Sequence, residues 1–254
     1  MSSSLRFFIL PAALFQWLAG YVPRALNIGQ SIGERTIADG IPPELPPGYF
    51  FAIWGVIFLA YTAFGIYALR HETELTRRLA APLVAVGTLN GLWILSAEFI
   101  GNPLLDFALI IPPAIAAWMA AYRFDRMRGL GGSAIKWTAD VLTGLLAGWL
   151  TVATAISVPR AGRYLFDQGP TDGEWIAIWA VVFVVAVGSY IFKRRISRSW
   201  WFYIAGCWGL AGIVVNNWTR TGFGYLGWVA LIFAIVLVTR RLTRGANGAM
   251  PALT

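Results

Sequence analysis

Phe51, Trp54, Phe58, Tyr61 and Gly65 fall at i, i+3, i+7, i+10 and i+14, the spacing that brings side chains to one face of a helix. Such a row of rings can pack against a neighbouring helix. It can also form a wall for a flat, hydrophobic ligand, because aromatic faces stack on planar partners. Spacing alone leaves both readings open. Just upstream, in PPELPPGYFFAIWGVIF, the four prolines Pro42, Pro43, Pro46 and Pro47 flank Glu44 and make a stiff, bent approach to this aromatic face.

Other candidates are amides, hydroxyls and acids in apolar surroundings. Asn90 and Trp93 lie three apart, beside a G-x-x-x-G pair, Gly87 and Gly91, that lets a second helix approach closely. An amide at membrane depth must find a partner, either on another helix or on a ligand. Thr143, Ala147, Thr151, Thr154 and Ser157 form a small, hydroxyl-bearing stripe. Trp149 lies about 160° around the same helix from Thr151, so the stripe and the indole cannot both face one cavity centre. Glu98, Asp106 and Asp140 fall near expected helix ends, where solvated or capping roles suit them; Glu98 becomes a substrate contact if its helix runs deeper. Asn216 and Asn217, in VVNNW, read first as a helix stop and second as a site.

Several chemistries are excluded by what is missing. The two lysines, Lys136 and Lys193, lie at helix ends, which leaves no buried amine for a Schiff base. One histidine, His71, in a charged connection, rules out bis-histidine haem ligation and a histidine metal centre. No glycine-rich phosphate loop with its lysine is present. The single cysteine, Cys207, has no partner within the chain and reads as a packing residue. Hydrolase and metalloenzyme chemistry are therefore not expected.

The elements that must position these residues are membrane helices. Of 254 residues, 58% are hydrophobic and only 13% are charged, about half the charged share of an ordinary soluble domain. Apolar runs long enough to cross a bilayer occur at Leu5 to Val22, Gly48 to Leu69, Leu79 to Ile100, Pro103 to Tyr122, Thr138 to Val158, Glu174 to Phe192, Trp200 to Asn217 and Gly222 to Thr239. The first contains Pro11, Gln16 and Trp17 and lacks a small-x-small cleavage signature, so it reads as a retained helix rather than a signal peptide. If eight helices alternate, fifteen of the twenty basic residues fall on one side, leaving Arg24, Arg35, Arg160, Arg163 and Arg220 on the other. The positive-inside rule then puts both termini in the cytoplasm. The net charge of +8 belongs to that membrane surface, and nucleic acid is not an expected partner.

Trp137, Trp175, Trp200, Trp201 and Trp218 fall near helix ends, as an interfacial belt requires, whereas Trp54, Trp93, Trp118, Trp149, Trp179 and Trp208 lie deeper. One outer connection, residues 23–47, is long enough to act as a lid. The turn Gly101-Asn102 forces the third and fourth helices into a hairpin, and Pro112-Pro113 is expected to kink the fourth. The tail, 245–254, reads as disordered.

Three stretches in order, PPGYFFAIWGVIF, LNGLW at Leu89 to Trp93 and GWLTVAT at Gly148 to Thr154, resemble the TspO/MBR family of tryptophan-rich sensory or translocator proteins. The similarity covers residues 5 to 160. It implies a five-helix unit whose first long loop closes over a pocket for porphyrins, haem-like tetrapyrroles, sterols or synthetic ligands. Carried over by position, it makes Trp54, Asn90, Trp93, Trp149, Ala153 and Thr154 pocket or bundle residues. Departures are present: the Leu-Tyr that closes the family's second-helix motif reads Ile57-Phe58, and its fifth-helix Asn reads Ser157. Three further helices have no counterpart in the basic fold, so the chain resembles a longer, eight-helix branch.

The expectation is an all-α polytopic membrane bundle: a five-helix unit at 1–160 with its loop at 23–47, a three-helix extension at 161–244, and the tail. Its expected function is binding, sensing or transport of a planar hydrophobic ligand at Phe51, Trp54, Phe58, Asn90, Trp93, Trp149, Ala153, Thr154 and Ser157. No cofactor is required, although a porphyrin or haem-like tetrapyrrole is the expected bound molecule. The other partners are the lipid bilayer of a bacterial inner membrane and a second copy of the chain in a homodimer. Porphyrin breakdown through tryptophan photochemistry is the enzymatic alternative. An unrelated small-solute transporter using Glu98 and Asn216, and a structural subunit of a pigment complex with lipid-facing deep tryptophans, are the two alternatives of other classes.

Overall fold

A computed structural model of the chain describes residues 3–30, 34, 40–127 and 133–245. Within the loop at 23–47, residues 31–33 and 35–39 lie outside the described residues, as does all but the first residue of the expected tail. Among the described residues there are eight α-helices: α1 (Ile9–Ala25), α2 (Ile53–Arg70), α3 (Glu74–Phe99), α4 (Pro103–Asp125), α5 (Ser133–Leu165), α6 (Glu174–Ile191), α7 (Trp201–Thr219) and α8 (Gly224–Gly245). Short 3₁₀ turns precede α1 at Ser3–Phe8 and α2 at Gly48–Ala52, and a π-turn at Phe192–Ile196 follows α6.

Seven of these helices are long and apolar enough to cross a membrane. The remaining one, α7, carries Asn216 and Asn217 near its end, and these amides dilute an otherwise apolar helix of 19 residues. Large side chains such as Leu59, Ile115, Phe183 and Ile232 point outward on the helix surfaces, an arrangement suited to lipid rather than water. The chain is a multi-pass α-helical membrane protein.

The helices form two rings that share α5. In one, α1 packs on α2 and α3, α3 on α4, α4 on α5, and α5 on α2. In the other, α5 packs on α6 and α7, and both pack on α8. Close approach depends on small residues at the crossings. A Cβ on Gly87 would lie 2.8 Å from the Ala12 carbonyl oxygen of α1, so the G-x-x-x-G pair of α3 receives α1. The turn Gly101-Asn102 does join α3 and α4, with the Asn102 side chain accepting from the amides of Leu104 and Leu105 to cap α4. α4 continues through Pro112 and Pro113 as one helix.

Basic side chains gather at one end of the bundle. Arg6 donates to the Ala68 carbonyl at 2.6 Å, Arg123 to the Arg78 carbonyl at 3.0 Å, and Arg241 to the Arg198 carbonyl at 2.6 Å. The described residues of the 23–47 connection occupy the opposite end, called here the loop end.

Three expectations about element ends are corrected. α5 has 33 residues, about 50 Å at 1.5 Å per residue, against a hydrocarbon core of about 30 Å. Arg160 and Arg163, expected beyond the helix, lie within it, and they meet Asp106 and Glu44 respectively. Residue 160, the expected unit boundary, therefore falls inside α5. Asp140 lies two turns within α5 rather than at its start, and α7 runs past the Asn pair to Thr219.

Candidate functional site

At the loop end, α1, α2 and α3 line a partly open cavity of about 890 Å³. Its aromatic wall comes from Trp17 of α1, Phe51 of the 3₁₀ turn, Trp54 and Phe58 of α2, and Trp93 of α3. Helical spacing aligns the rings of α2, and Trp54 stacks on Phe58 with centroids 5.2 Å apart. Trp17 meets Phe58 edge-on at 6.3 Å, which closes the wall across the α1/α2 seam. The Trp93 indole N–H donates to the Asp106 carbonyl at 3.0 Å, fixing the ring to α4. Leu45 and Pro46 also line the cavity, while Arg24, Glu34, Glu98 and Arg220 supply charge. The Nε of Arg24 lies 3.9 Å from a carboxylate oxygen of Glu98.

The proline-rich segment around Glu44 is held from α5 and α7. Arg163 donates to both carboxylate oxygens of Glu44, at 2.6 and 3.2 Å, and its Nε donates to the Asp172 carbonyl at 2.9 Å. Burial pushes the Glu44 carboxyl above the ordinary carboxylate range, and the Arg163 guanidinium pulls it part of the way back. The Asn216 amide donates to the carbonyls of Pro42 and Pro43 at 2.9 and 3.3 Å, and the Asn217 amide to that of Pro43 at 2.7 Å. Proline has no N–H to offer but keeps its carbonyl, so a proline-rich strap is well matched to amide donors. Below it, Trp208 donates to the Phe50 carbonyl at 2.7 Å. Pro46 lies so near α7 that a Cβ on Gly212 would come within 2.6 Å of it.

Of the nine residues singled out from sequence, Phe51, Trp54, Phe58 and Trp93 line the cavity. The other five do not. Asn90 is buried and its NH2 group donates to Gln16 of α1 at 2.9 Å, in the packed seam between α1 and α3. Trp149 stands behind the wall, meeting Phe51 and Trp54 edge-on at 5.7 and 6.4 Å. Ala153 packs against the core. The hydroxyls of Thr154 and Ser157 bond back to the carbonyls of Leu150 and Ala153 on their own helix. Thr151 faces the other way and accepts from the indole N–H of Trp118 at 2.9 Å.

The acids and amides also depart from their expected roles. Glu98 and Asp106 are 2% and 1% exposed rather than solvated, and Asp106 pairs with Arg160 at 3.0 Å. Asn216 and Asn217 tie down the strap rather than end a helix. The deep tryptophans divide: Trp149 and Trp93 are buried, whereas Trp179 and Trp208 are 54% and 40% exposed.

Sequence reasoning missed Trp17 and Arg24 as cavity-lining residues, and Glu44, Arg163 and Asn217 as fasteners. One signal was available. Few basic residues lie on the loop side, and Arg160 and Arg163 among them are spaced i, i+3 on a single helix.

A family model described as TSPO-like protein matches residues 15–242. The chain belongs to this family. The match runs from α1 into α8, so the helices that hold the strap of this TSPO-like protein lie within it. Among curated proteins and among solved structures, none matches the chain.

Proposed function

We propose that this TSPO-like protein binds a planar hydrophobic ligand, of the porphyrin or tetrapyrrole class or of sterol type, in the loop-end cavity, and that it senses or transports that ligand. The observation that carries this reading is the wall of Trp17, Phe51, Trp54, Phe58 and Trp93, with Leu45 and Pro46 lining the same cavity. The cavity volume of about 890 Å³ lies toward the upper end of small-molecule pockets. Rings stack on a macrocycle at little entropic cost, and Arg24 and Arg220 suit acidic substituents carried at its edge.

Binding is preferred to catalysis because these groups hold a flat molecule without transferring a proton, and no cofactor is needed to do so. The proposed setting is a bacterial inner membrane, with the basic end of the bundle in the cytoplasm and the cavity opening on the other side. The charged-path transporter reading loses one of its members, because Asn216 is engaged with Pro42 and Pro43.

The test is to purify the protein without added ligand and to identify by absorbance and mass spectrometry what accompanies it. A co-purifying planar macrocycle or sterol supports the proposal. Phospholipid alone, together with no binding of added protoporphyrin IX, overturns it.

A further inference from the structure

A second cavity, of about 440 Å³, lies among α6, the π-turn, α7 and α8 at the basic end of the bundle. Its deeper wall is apolar, built from Ala186, Phe233, Val236 and Leu237. Lys193, Arg194 and Arg240 surround its mouth, and the buried Arg241 lines it further in. Two of these cations are held in place by rings: Arg194 lies over Tyr190 at 4.8 Å, and Arg241 over Trp200 and Tyr203 at 4.5 and 5.4 Å. Lys193 and Arg194 project from a π-turn, a backbone form frequent at functional sites.

One polar group inside this cavity is unexplained by packing. Ser189 is 7% exposed, lines the cavity, and its Oγ has no hydrogen-bond partner, a costly state for a buried hydroxyl. Its own carbonyl accepts from the Tyr203 hydroxyl at 3.2 Å, which leaves the side chain the group still to be satisfied. Ser189 precedes Lys193 by four residues, so it lies about 6 Å deeper along the helix direction.

That vertical order, cation at the mouth, hydroxyl one turn below, apolar wall beneath, matches the order of groups in a glycerophospholipid. We propose that this cavity is a site for one anionic phospholipid, with its phosphate at Lys193, Arg194 and Arg240, an ester carbonyl at Ser189 and an acyl chain along Phe233, Val236 and Leu237. Free phosphate has no use for the apolar wall or for a hydroxyl that deep. A zwitterionic lipid fits the wall but is not selected by the clustered positive charge.

The experiment is native mass spectrometry of the detergent-purified protein in an equimolar mixture of phosphatidylglycerol and phosphatidylcholine of matched chains. Phosphatidylglycerol is expected to be retained about tenfold or more over phosphatidylcholine. The double variant Lys193→Gln/Arg240→Gln removes that preference. Ala186→Phe, which fills the chamber and leaves every charge in place, lowers retention of both lipids, and Ser189→Ala weakens it in a chain that keeps both charge and volume. Arg77→Gln, an exposed cation paired with Glu74 at the same end, changes nothing. Three results each overturn the proposal: equal retention of the two lipids, retention untouched by Ala186→Phe, which means surface attraction only, and displacement of the lipid by inorganic phosphate, which means a simple anion site.

Discussion

Arg163, in the last turn of α5, grips Glu44 through two hydrogen bonds, at 2.6 and 3.2 Å, and so fastens a segment 119 residues earlier in the chain. Both side chains are nearly fully buried. Removing one partner of a buried ion pair typically costs about 3–5 kcal/mol, because the other is left uncompensated. Arg163→Gln is therefore expected to lower the Tm by several degrees.

The same pair gives that loss a pH dependence. Burial raises the folded-state pKa of Glu44 above its unfolded value, even with Arg163 in contact and Arg160 at longer range. The stabilisation from binding that proton is fully present below the ordinary carboxylate value and is lost as pH rises through the folded value. Without Arg163 the carboxyl is tolerated only when protonated, so the Tm deficit of Arg163→Gln should be small in acid and grow toward neutral pH. A deficit that does not vary with pH contradicts this account.

Asn216 and Asn217 should control the strap more than the bundle. Each lost hydrogen bond is worth about 1 kcal/mol, and Asn216→Leu/Asn217→Leu removes three to proline carbonyls. Hydrogen exchange at Leu45, whose amide donates to the Pro42 carbonyl, is expected to speed up by about tenfold or more, with peptides from α3 and α4 unchanged. Unaltered exchange at Leu45 means that the amides do not hold the strap.

Gly55 lines the cavity, and a Cβ added there meets nothing within 4 Å. Gly55→Phe should occupy the ligand space without disturbing the packing, and replacing a helical glycine favours the helix by up to about 1 kcal/mol. Thermal stability without ligand is expected to hold or rise while affinity for protoporphyrin IX falls. Equal affinity in the two proteins would place the ligand elsewhere.

Gln16 and Asn90 are expected to act as a pair within the bundle rather than on the ligand. Both are fully buried and hydrogen-bonded to each other across α1 and α3. Asn90→Leu strands the Gln16 oxygen that accepts its bond, so Gln16→Leu/Asn90→Leu should be less destabilised than the two single losses combined, with a coupling of about 0.6 kcal/mol or more. Ligand affinity should stay level throughout the cycle, and a large drop in Asn90→Leu alone would return this amide to the pocket.

Helix number and the aromatic wall were legible because they rest on local signals: apolar runs, basic residues segregated by side, and the 3.6-residue recurrence from Phe51 to Phe58. Trp93 is legible through the LNGLW resemblance rather than through periodicity. The fasteners could not, because each depends on residues brought together across long separations. Nothing near Glu44 announces Arg163, and the meaning of Asn216 appears only when Pro42 and Pro43 lie against it. Polar residues near helix ends misled in one consistent way. Arg160, Arg163, Asn216 and Asn217 resemble termination signals, yet each meets a specific partner within a helix that continues. Thr154 and Ser157 misled differently, since a hydroxyl in an apolar helix can bond to its own backbone and needs no ligand.

The central claim is that the Trp54 face receives the ligand. Its most direct test is titration of intrinsic tryptophan fluorescence with protoporphyrin IX in three proteins: the parent chain, Trp54→Ala, and Trp201→Ala, whose indole packs on Trp137 away from the cavity. The account predicts that the quenching midpoint moves by about tenfold in Trp54→Ala, as loss of a stacked ring requires, and stays in place in Trp201→Ala. The same midpoint in all three proteins contradicts it.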